Sequence, residues 1–397
     1  MLAGYRTIPT MYSTLPVALA MLVRMQENRE KGGGAGTVLV LSGSGAVEAA
    51  KKPEEERADR LAASLAAAGF RTERLSARKL ADLDEALAAR SISLVFSVAL
   101  YLPDDLGRRR NVHAHFGARS VPFVGSPAAV LDLAIDKAAL KRKWSSRGVL
   151  TPPFTVIDEV TPLPGPASLG LEFPLIVKPL REGNSRGIDA FSVANNYEEL
   201  SAKTSALAER WGDVLVESFL GGSADFREFT VALVGDPVGG LVLPAEIRFE
   251  EKGVGGAVGP TSRIVTQAAK DGHLTSAIPL PRSDLRDRVA SFAAEAFSVA
   301  GVRDYARCDI IQSWDRLYAI EINGQPMVPD SWFAACAEAE GLDEKGYLGA
   351  IVEASLRRLA AEGAAAKRTG GGSARGGRLA GLGPSIPLTA APRGDPR

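Results

Sequence analysis

The stretch DYARCDIIQSWDRLYAIEIN, residues 304 to 323, constrains the fold more than any other. Polar and apolar side chains alternate on both sides of the Ser-Trp-Asp turn, the two-residue period of strands that bury one face. Arg307, Asp309 and Ile311 share one side of the first strand, and Ala319, Glu321 and Asn323 share one side of the returning strand. Antiparallel pairing therefore brings Asp309 beside Glu321 and Asn323, three oxygen donors next to an arginine. Facing carboxylates repel unless something positive lies between them. Magnesium takes oxygen ligands and is commonly held by one or two carboxylates together with substrate phosphates, so it fits that set.

A second signal lies in FPLIVKPLREGNSRG, residues 173 to 187. Leu175 to Val177 is an apolar, β-branched run that fills a strand, and Pro179 closes it because proline cannot keep donating to a ladder. Lys178 then stands at a strand end, before a loop containing Arg181, Glu182, Gly183, Ser185 and Gly187. Such a loop leaves backbone N–H groups free to point at an anion, and phosphate is the obvious guest. The spacing matches neither the Walker pattern nor the GxGxxG fingerprint, so another architecture must hold the phosphate.

A chain of 397 residues with 46% apolar residues can bury two or three cores, which predicts a multidomain soluble protein. Its formal net charge is zero, which gives no reason to expect a nucleic-acid or acidic-membrane partner. Cys308 and Cys336 are the only cysteines, which excludes a disulfide framework and fits a reducing cytoplasm. The apolar segment 15 to 23 runs into a charged and then glycine-rich stretch and reads as an extension with a linker.

TVLVLSGSG followed by an alanine-rich helical stretch over 54 to 68 opens a βα layer, to which RTERLS, SLVFSVAL and VPFVGSP add strands. After Ser126, PAAVLDLAIDKAALKRKWSSRGV predicts one helix or a broken pair, with Gly148 as its stop. Strands then come in pairs, 174 to 179 with 188 to 193 and 213 to 219 with 227 to 234. The predicted organisation is an extension and linker over 1–36, an α/β domain over 37–125, a central subdomain over 126–206, a C-terminal subdomain over 207–362 and a disordered tail over 363–397. The histidines at 113 and 115 read as packing residues, and the RRR and KRK runs as solvated faces.

The order DK (136, 137), VKP (177 to 179), REGxSxG (181 to 187), VES (216 to 218), REFTV (227 to 231), ARxD (306 to 309) and EIN (321 to 323) resembles the ATP-grasp ligases, and within them most closely the D-alanine–D-alanine ligases. The resemblance spans roughly 37 to 362. It implies an α/β ATP-grasp fold, with a Rossmann-like first domain and two α+β subdomains that sandwich ATP. It also implies that Lys137 and Lys178 contact phosphates, that 181 to 187, with Glu182, Gly183 and Ser185, form a lid, and that Glu217, Ser218, Phe219 and Leu220 face the adenine. Glu228 would take the ribose, Lys270 would add a phosphate contact, Arg307 would neutralise the transferred phosphate, and Asp309, Glu321 and Asn323 would hold Mg2+. The implied partners are small amino-acid-like molecules, with room for a homodimer. The implied activity is ATP-dependent joining of a carboxylate to an amine through an acyl-phosphate, releasing ADP and phosphate, in specialised metabolism. The alternatives are a cell-wall D-alanine–D-alanine ligase and, of another class, an ATP-binding protein without catalysis.

The substrate half departs from that family. Its GGxSxEHEVS stretch, whose glutamate meets an amino group, is replaced by SGSGAVEAAKKPEEE, where Glu48 is a poor stand-in. Its HGxxGEDG stretch is missing, and Arg108 to Arg110 occupy the neighbourhood as candidate carboxylate receivers. Asn184 and Asp271 stand near the family's serine and tyrosine, and the final turn reads GQPMVPDSW, with Met327 and Trp332 as candidate pocket walls.

Overall fold

The computed structural model describes residues 36–43, 48–158, 161–183, 185–189, 191–249, 275–330 and 332–370. The expected extension up to residue 35, Asn184, Lys270, Asp271 and the chain from 371 onward lie outside them.

The chain opens with β1 (Thr37–Gly43), α1 (Glu48–Ala67), β2 (Thr72–Ala77), α2 (Leu80–Ala89) and β3 (Ile92–Ser97). The strands form a parallel sheet in the order β2-β1-β3. Every residue of β1 is buried, as expected of a central parallel strand covered on both faces. VPFVGSP is not a strand. Phe123 makes one bridge to Val95, because Pro122 cannot donate and Gly125 turns the chain at a φ of 101°. A short hairpin, β4 (Tyr101–Pro103) and β5 (Arg109–Asn111), precedes α3 (Val112–Ala118).

The next helical stretch is a broken pair, α4 (Ala128–Ile135) and α5 (Lys137–Ser145). Asp136 both ends the first and caps the second, accepting from the backbone N–H of Ala139 at 2.9 Å. This explains why an aspartate stands directly before Lys137.

A second sheet holds β6 (Phe154–Ile157), β7 (Leu175–Pro179), β8 (Val193–Ala194) and β9 (Val214–Ser218) in the order β6-β9-β7-β8, with α6 (Tyr197–Trp211) packed on it. Two expected pairings are corrected here. β9 pairs with β6 and β7, not with 227 to 234. The partner expected over 188 to 193 shrinks to Val193–Ala194, because Asp189 and Ser192 spend their groups on a local turn. A boundary at 207 would cut α6 and remove β9 from its sheet, so this unit runs on to Ser218.

The third sheet is antiparallel: β10 (Arg227–Gly235), β11 (Leu241–Phe249), β12 (Thr275–Pro279), β13 (Asp304–Ser313) and β14 (Arg316–Asn323), in the order β12-β11-β10-β13-β14. α7 (Asp284–Ala300) packs on one face, where Phe229, Val231, Ala306, Cys308, Ile310 and Phe297 share a core with Leu140 and Trp144 of α5. The pair α4 and α5 is thus built into this core, although the expected boundaries assigned it to the central unit. α8 (Trp332–Glu338) and α9 (Glu344–Gly370) follow. α9 continues past Gly363, the expected start of a tail, because three alanines and Lys367 after that glycine favour helix. The contacts divide the chain into one unit up to Arg357 and a second from Arg358. No helix among the described residues is long and apolar enough to cross a membrane.

Candidate active site

The register of the last hairpin pairs Asp309 with Glu321 and Arg307 with Asn323, as the alternation predicts. One expectation fails. Ala319 faces the core with Leu317, whereas Glu321 and Asn323 flank the core residue Ile322. The register slips between Asp309 and Ile310, where the extra residue Ile320 enters β14. A bulge of this kind exchanges the two faces of a strand, so it alone turns Glu321 and Asn323 out of the core.

On the face that carries Asp309, Arg307 donates to both its oxygens at 3.1 and 3.2 Å, and the Thr230 hydroxyl donates at 2.9 Å. Arg307 is largely buried, and burial, the strongest single influence, would lower its pKa, but the charge and hydrogen bonds of Asp309 together with the charge of Glu321 raise it, so the guanidinium stays charged. The same sheet face carries Glu228, two residues before Thr230 on β10 and opposite Ile311. Asp309, Glu321 and Asn323 make a set of two acids and one amide, hard oxygen donors of the kind magnesium takes. Among the described residues, no three His, Cys, Asp or Glu side chains cluster as a metal site.

A cavity of about 550 Å3 lies in front of this face, within the range usual for ligand sites. Lys137, Glu182, Gly183, Arg307, Glu321 and Asn323 line it, together with Met327 and Trp332. Lys137 begins α5 and is buried. Its ammonium donates to the Glu182 carbonyl and to the Pro179 carbonyl at 3.4 Å, tying the loop to the helix. Burial lowers its pKa, with Glu321 the largest opposing charge.

The loop itself is anchored at both ends. Arg181 bonds Asp136 at 2.9 Å and Asp213 at 2.8 Å. Gly187 adopts a φ of 75°, and a Cβ there would meet Pro179 Cγ at 2.6 Å and Trp211 at 3.1 Å. Arg186 stacks over Trp211 and pairs with Glu182 at 3.1 Å. Ser185 sits within this turn, at a φ of 57°, outside the cavity lining. Gly187→Ala should therefore loosen the loop, since the left-handed conformation alone costs a non-glycine residue about 1–2 kcal/mol. Faster amide exchange over 181–189 with an intact global melting temperature is the expected result, and unchanged exchange would contradict it.

Lys178 does not sit on a solvated turn. It is 5% exposed inside β7, and its ammonium pairs with Glu217 of β9. Lys141, one helical turn after Lys137, pairs with the other Glu217 oxygen at 3.0 Å and donates to the Thr151 hydroxyl at 2.7 Å. Burial pushes the Lys141 pKa down to about 8. Burial would raise that of Glu217, but Lys141 and Lys178 together hold it below the ordinary value. Reading KRK as a solvated run therefore fails for Lys141, which is fully buried, and holds for Arg142 and Lys143. Neither Lys178 nor Glu217, Ser218, Phe219 and Leu220 line the cavity. The Leu220 carbonyl instead accepts from Ser313 at 3.2 Å, joining this segment to the hairpin turn.

Arg108 to Arg110 are corrected as carboxylate receivers. All three are exposed on the β4–β5 hairpin, with Arg108 and Arg110 held by Asp104 and Arg109 stacked over Tyr101. His113 is buried, its Nδ1 2.7 Å from the Ser126 carbonyl, and His115 lies 2.7 Å from Asp84, in keeping with packing roles. Sequence reasoning did not single out Lys141, Thr230, Arg186 or, in the cavity lining, Gln325. Of these only Lys141 carried a local signal, its i, i+4 spacing from Lys137.

The model of the D-ala D-ala ligase C-terminus family matches residues 166–353. The D-alanine–D-alanine ligase of Cupriavidus metallidurans is 32% identical over 245 residues, 60% of this chain and 69% of that protein. That of Desulforudis audaxviator is 28% identical over 284 residues, 70% of this chain and 86% of that protein. In fold, the chain is similar to the crystal structure of the D-alanine–D-alanine ligase of Bacillus anthracis complexed with ATP. The TM-score is 0.63 at 21% identity, over 83% of this chain and all of that one.

Proposed function

The chain belongs to the D-alanine–D-alanine ligase family of ATP-grasp enzymes, ATP-dependent ligases that form carbon–nitrogen bonds, and from that premise we propose that it joins two amino-acid-like substrates other than a pair of D-alanines. The supporting observation is the cavity that gathers Lys137, Arg307, Glu321 and Asn323 and that is also lined by Met327 and Trp332 of the altered final turn. A substrate carboxylate attacks the γ-phosphorus of ATP and ADP leaves; an amine then attacks the acyl carbon and phosphate leaves. In this reading Lys137 and Arg307 offset charge on the transferred phosphoryl group, which is chiefly what such a transfer needs. The loop 181 to 187 closes over the triphosphate, and Lys178, positioned by Glu217, adds a cation at its side. Lys270 and Glu228 are assigned to phosphate and ribose. Asp309, Glu321 and Asn323 would hold Mg2+, which when bound supplies further positive charge to the phosphates. The proposed setting is specialised metabolism in the cytoplasm.

The test is to supply ATP, magnesium and amino-acid pools, follow ADP release and search for new condensation masses. No ADP release with any pool would sink the ligase reading. D-alanine alone should support ADP release at least ~10-fold less well than a bulkier or acidic partner, since pockets commonly discriminate by that much. Efficient formation of D-alanyl-D-alanine would overturn the substrate assignment and favour the cell-wall reading that the named relatives suggest.

A further inference from the structure

A second, smaller cavity of about 210 Å3 adjoins the first and shares Leu100, Gln325 and Met327 with it. Its walls are largely apolar, with Phe96, Val98, Tyr305 and Val328 among them, and the side chains of Arg57, Ser97 and Gln325 interrupt them. Arg57 reaches it from α1, with a side chain 16% exposed and an Nε that is buried without a hydrogen-bond partner. The acid Asp330 stands 3.6 Å from that Nε, too far for a hydrogen bond, while its other oxygen accepts from Arg60 at 2.9 Å. Across the cavity, Gln325 donates to the Ser97 carbonyl at 2.9 Å, which leaves its Oε1 buried and without a partner.

A donor and an acceptor left unmade in one apolar space are complementary to a guest that has both an anion and an N–H. Buried polar groups are ordinarily satisfied, so two residues that line one cavity and each carry such an atom are an exception that needs a cause. We propose that Arg57 receives a substrate carboxylate in this cavity, and that Gln325 accepts from the amine of the same molecule. Guanidinium and carboxylate form the strongest and most directional of the ordinary hydrogen-bonded pairs. The guest is an α-amino acid with an apolar body, and because Gln325 also borders the larger cavity, its amine is presented to the side where the acyl-phosphate forms. The amine-side substrate is thereby assigned. The inference rests on the ligase reading for the direction of attack, but not for the binding itself.

Isothermal titration of the full chain with its non-hydrolysable ATP analogue and magnesium present separates the two. The probes are DL-leucine, DL-leucinamide, which lacks the carboxylate, and glutarate, which lacks the amine. Leucine should bind at least ~10-fold more tightly than leucinamide, since a site built around a charged partner rejects the analogue that lacks it. Arg57→Gln should abolish that preference while still binding the ATP analogue, which also reports that the variant is folded. Should the variant fail to fold, the leucine and leucinamide comparison on the unaltered protein decides alone. Glutarate binding as well as leucine, and equally lost in Arg57→Gln, would keep the anion site but move it to a dicarboxylic substrate, overturning the role of Gln325. Equal binding of leucine and leucinamide, binding unaffected by Arg57→Gln, or no binding of any probe at 10 mM on the order used for weak ligands would overturn the proposal. Failure of the ATP analogue to bind, with the leucine preference intact, would instead overturn the ligase reading.

Discussion

Glu217→Gln is expected to lower the stability of the protein by roughly 3–5 kcal/mol, the usual consequence of removing one partner from a buried ionic group. The carboxylate lies between two lysines, Lys141 with none of its side chain exposed and Lys178 with 6%, so the variant would bury two ammonium groups against a neutral amide. For a chain of this size the melting temperature should fall on the order of 10 °C. The pH dependence carries the same signature. The folded-state pKa of Glu217 lies below its ordinary 4.5, so its contribution is present above that value and is lost as pH falls through the lower one. Lys141 works in the opposite sense, because burial lowers its pKa from 10.5 to about 8. Between those two values the unfolded chain holds the extra proton, so stability from this group rises with pH across that window. The deficit of Glu217→Gln should therefore shrink above pH 8, as Lys141 becomes neutral. Replacing the whole group by apolar residues, Lys141→Met and Lys178→Met with Glu217→Leu, should recover part of the loss. Chemical denaturation of the variants from pH 5 to 10 checks this, and a Glu217→Gln protein as stable as the parent at pH 7 would refute it.

That buried group shows which parts of the molecule were legible in the chain. The hairpin of Asp309 and Glu321 was readable because a strand period of two fixes faces locally. Its phase on the returning strand was not, since the extra residue Ile320 is inserted relative to β13, between the pairs Ile310 with Ala319 and Asp309 with Glu321, a mismatch that no local pattern reports. The same holds for Val214–Ser218, whose apolar run announces a strand but not whether it joins Leu175–Pro179 or Arg227–Gly235. Lys141 sits in a run of three cations, and only its companions on the buried face, Lys137 and Trp144, distinguish it from the solvated Arg142 and Lys143. Lys137, Arg307, Glu321 and Asn323 could be read together because each lies in a short contiguous motif, and all four line one cavity. Arg57 lies in no such motif, since its proposed role depends on Gln325, some 270 residues away and joined to it by a shared cavity wall.

The proposed metal site yields the second large effect, and the hydrogen bonds of its two acids decide which of them tests it. Asp309 and Glu321 look equivalent in the sequence, two carboxylates on facing strands. They differ in what else they hold. Asp309 is the hydrogen-bonded counter-ion of Arg307 and the acceptor of Thr230, so Asp309→Ala leaves a buried guanidinium with its nearest charge removed and should unfold the sheet locally as well as disturb the chemistry. Of the two alanine variants, only that of Glu321 is therefore expected to spare the fold. Its carboxylate lines the cavity beside Lys137 and Arg307, where it can bind a cation without supporting a core residue. Glu321→Ala should cost less stability than Asp309→Ala, on the order of 1 kcal/mol, because it removes a charge beside Lys137 and Arg307 but leaves the hydrogen bonds of Arg307 and Thr230 to Asp309 in place. It should slow ADP release by about 100- to 1,000-fold, the range seen when a single preorganised electrostatic contact to a developing charge is removed. The remaining activity should need more magnesium for half-saturation, because fewer carboxylates hold the ion, whereas the same rate loss with an unchanged magnesium requirement would show that Glu321 acts on Lys137 or Arg307 rather than on a metal.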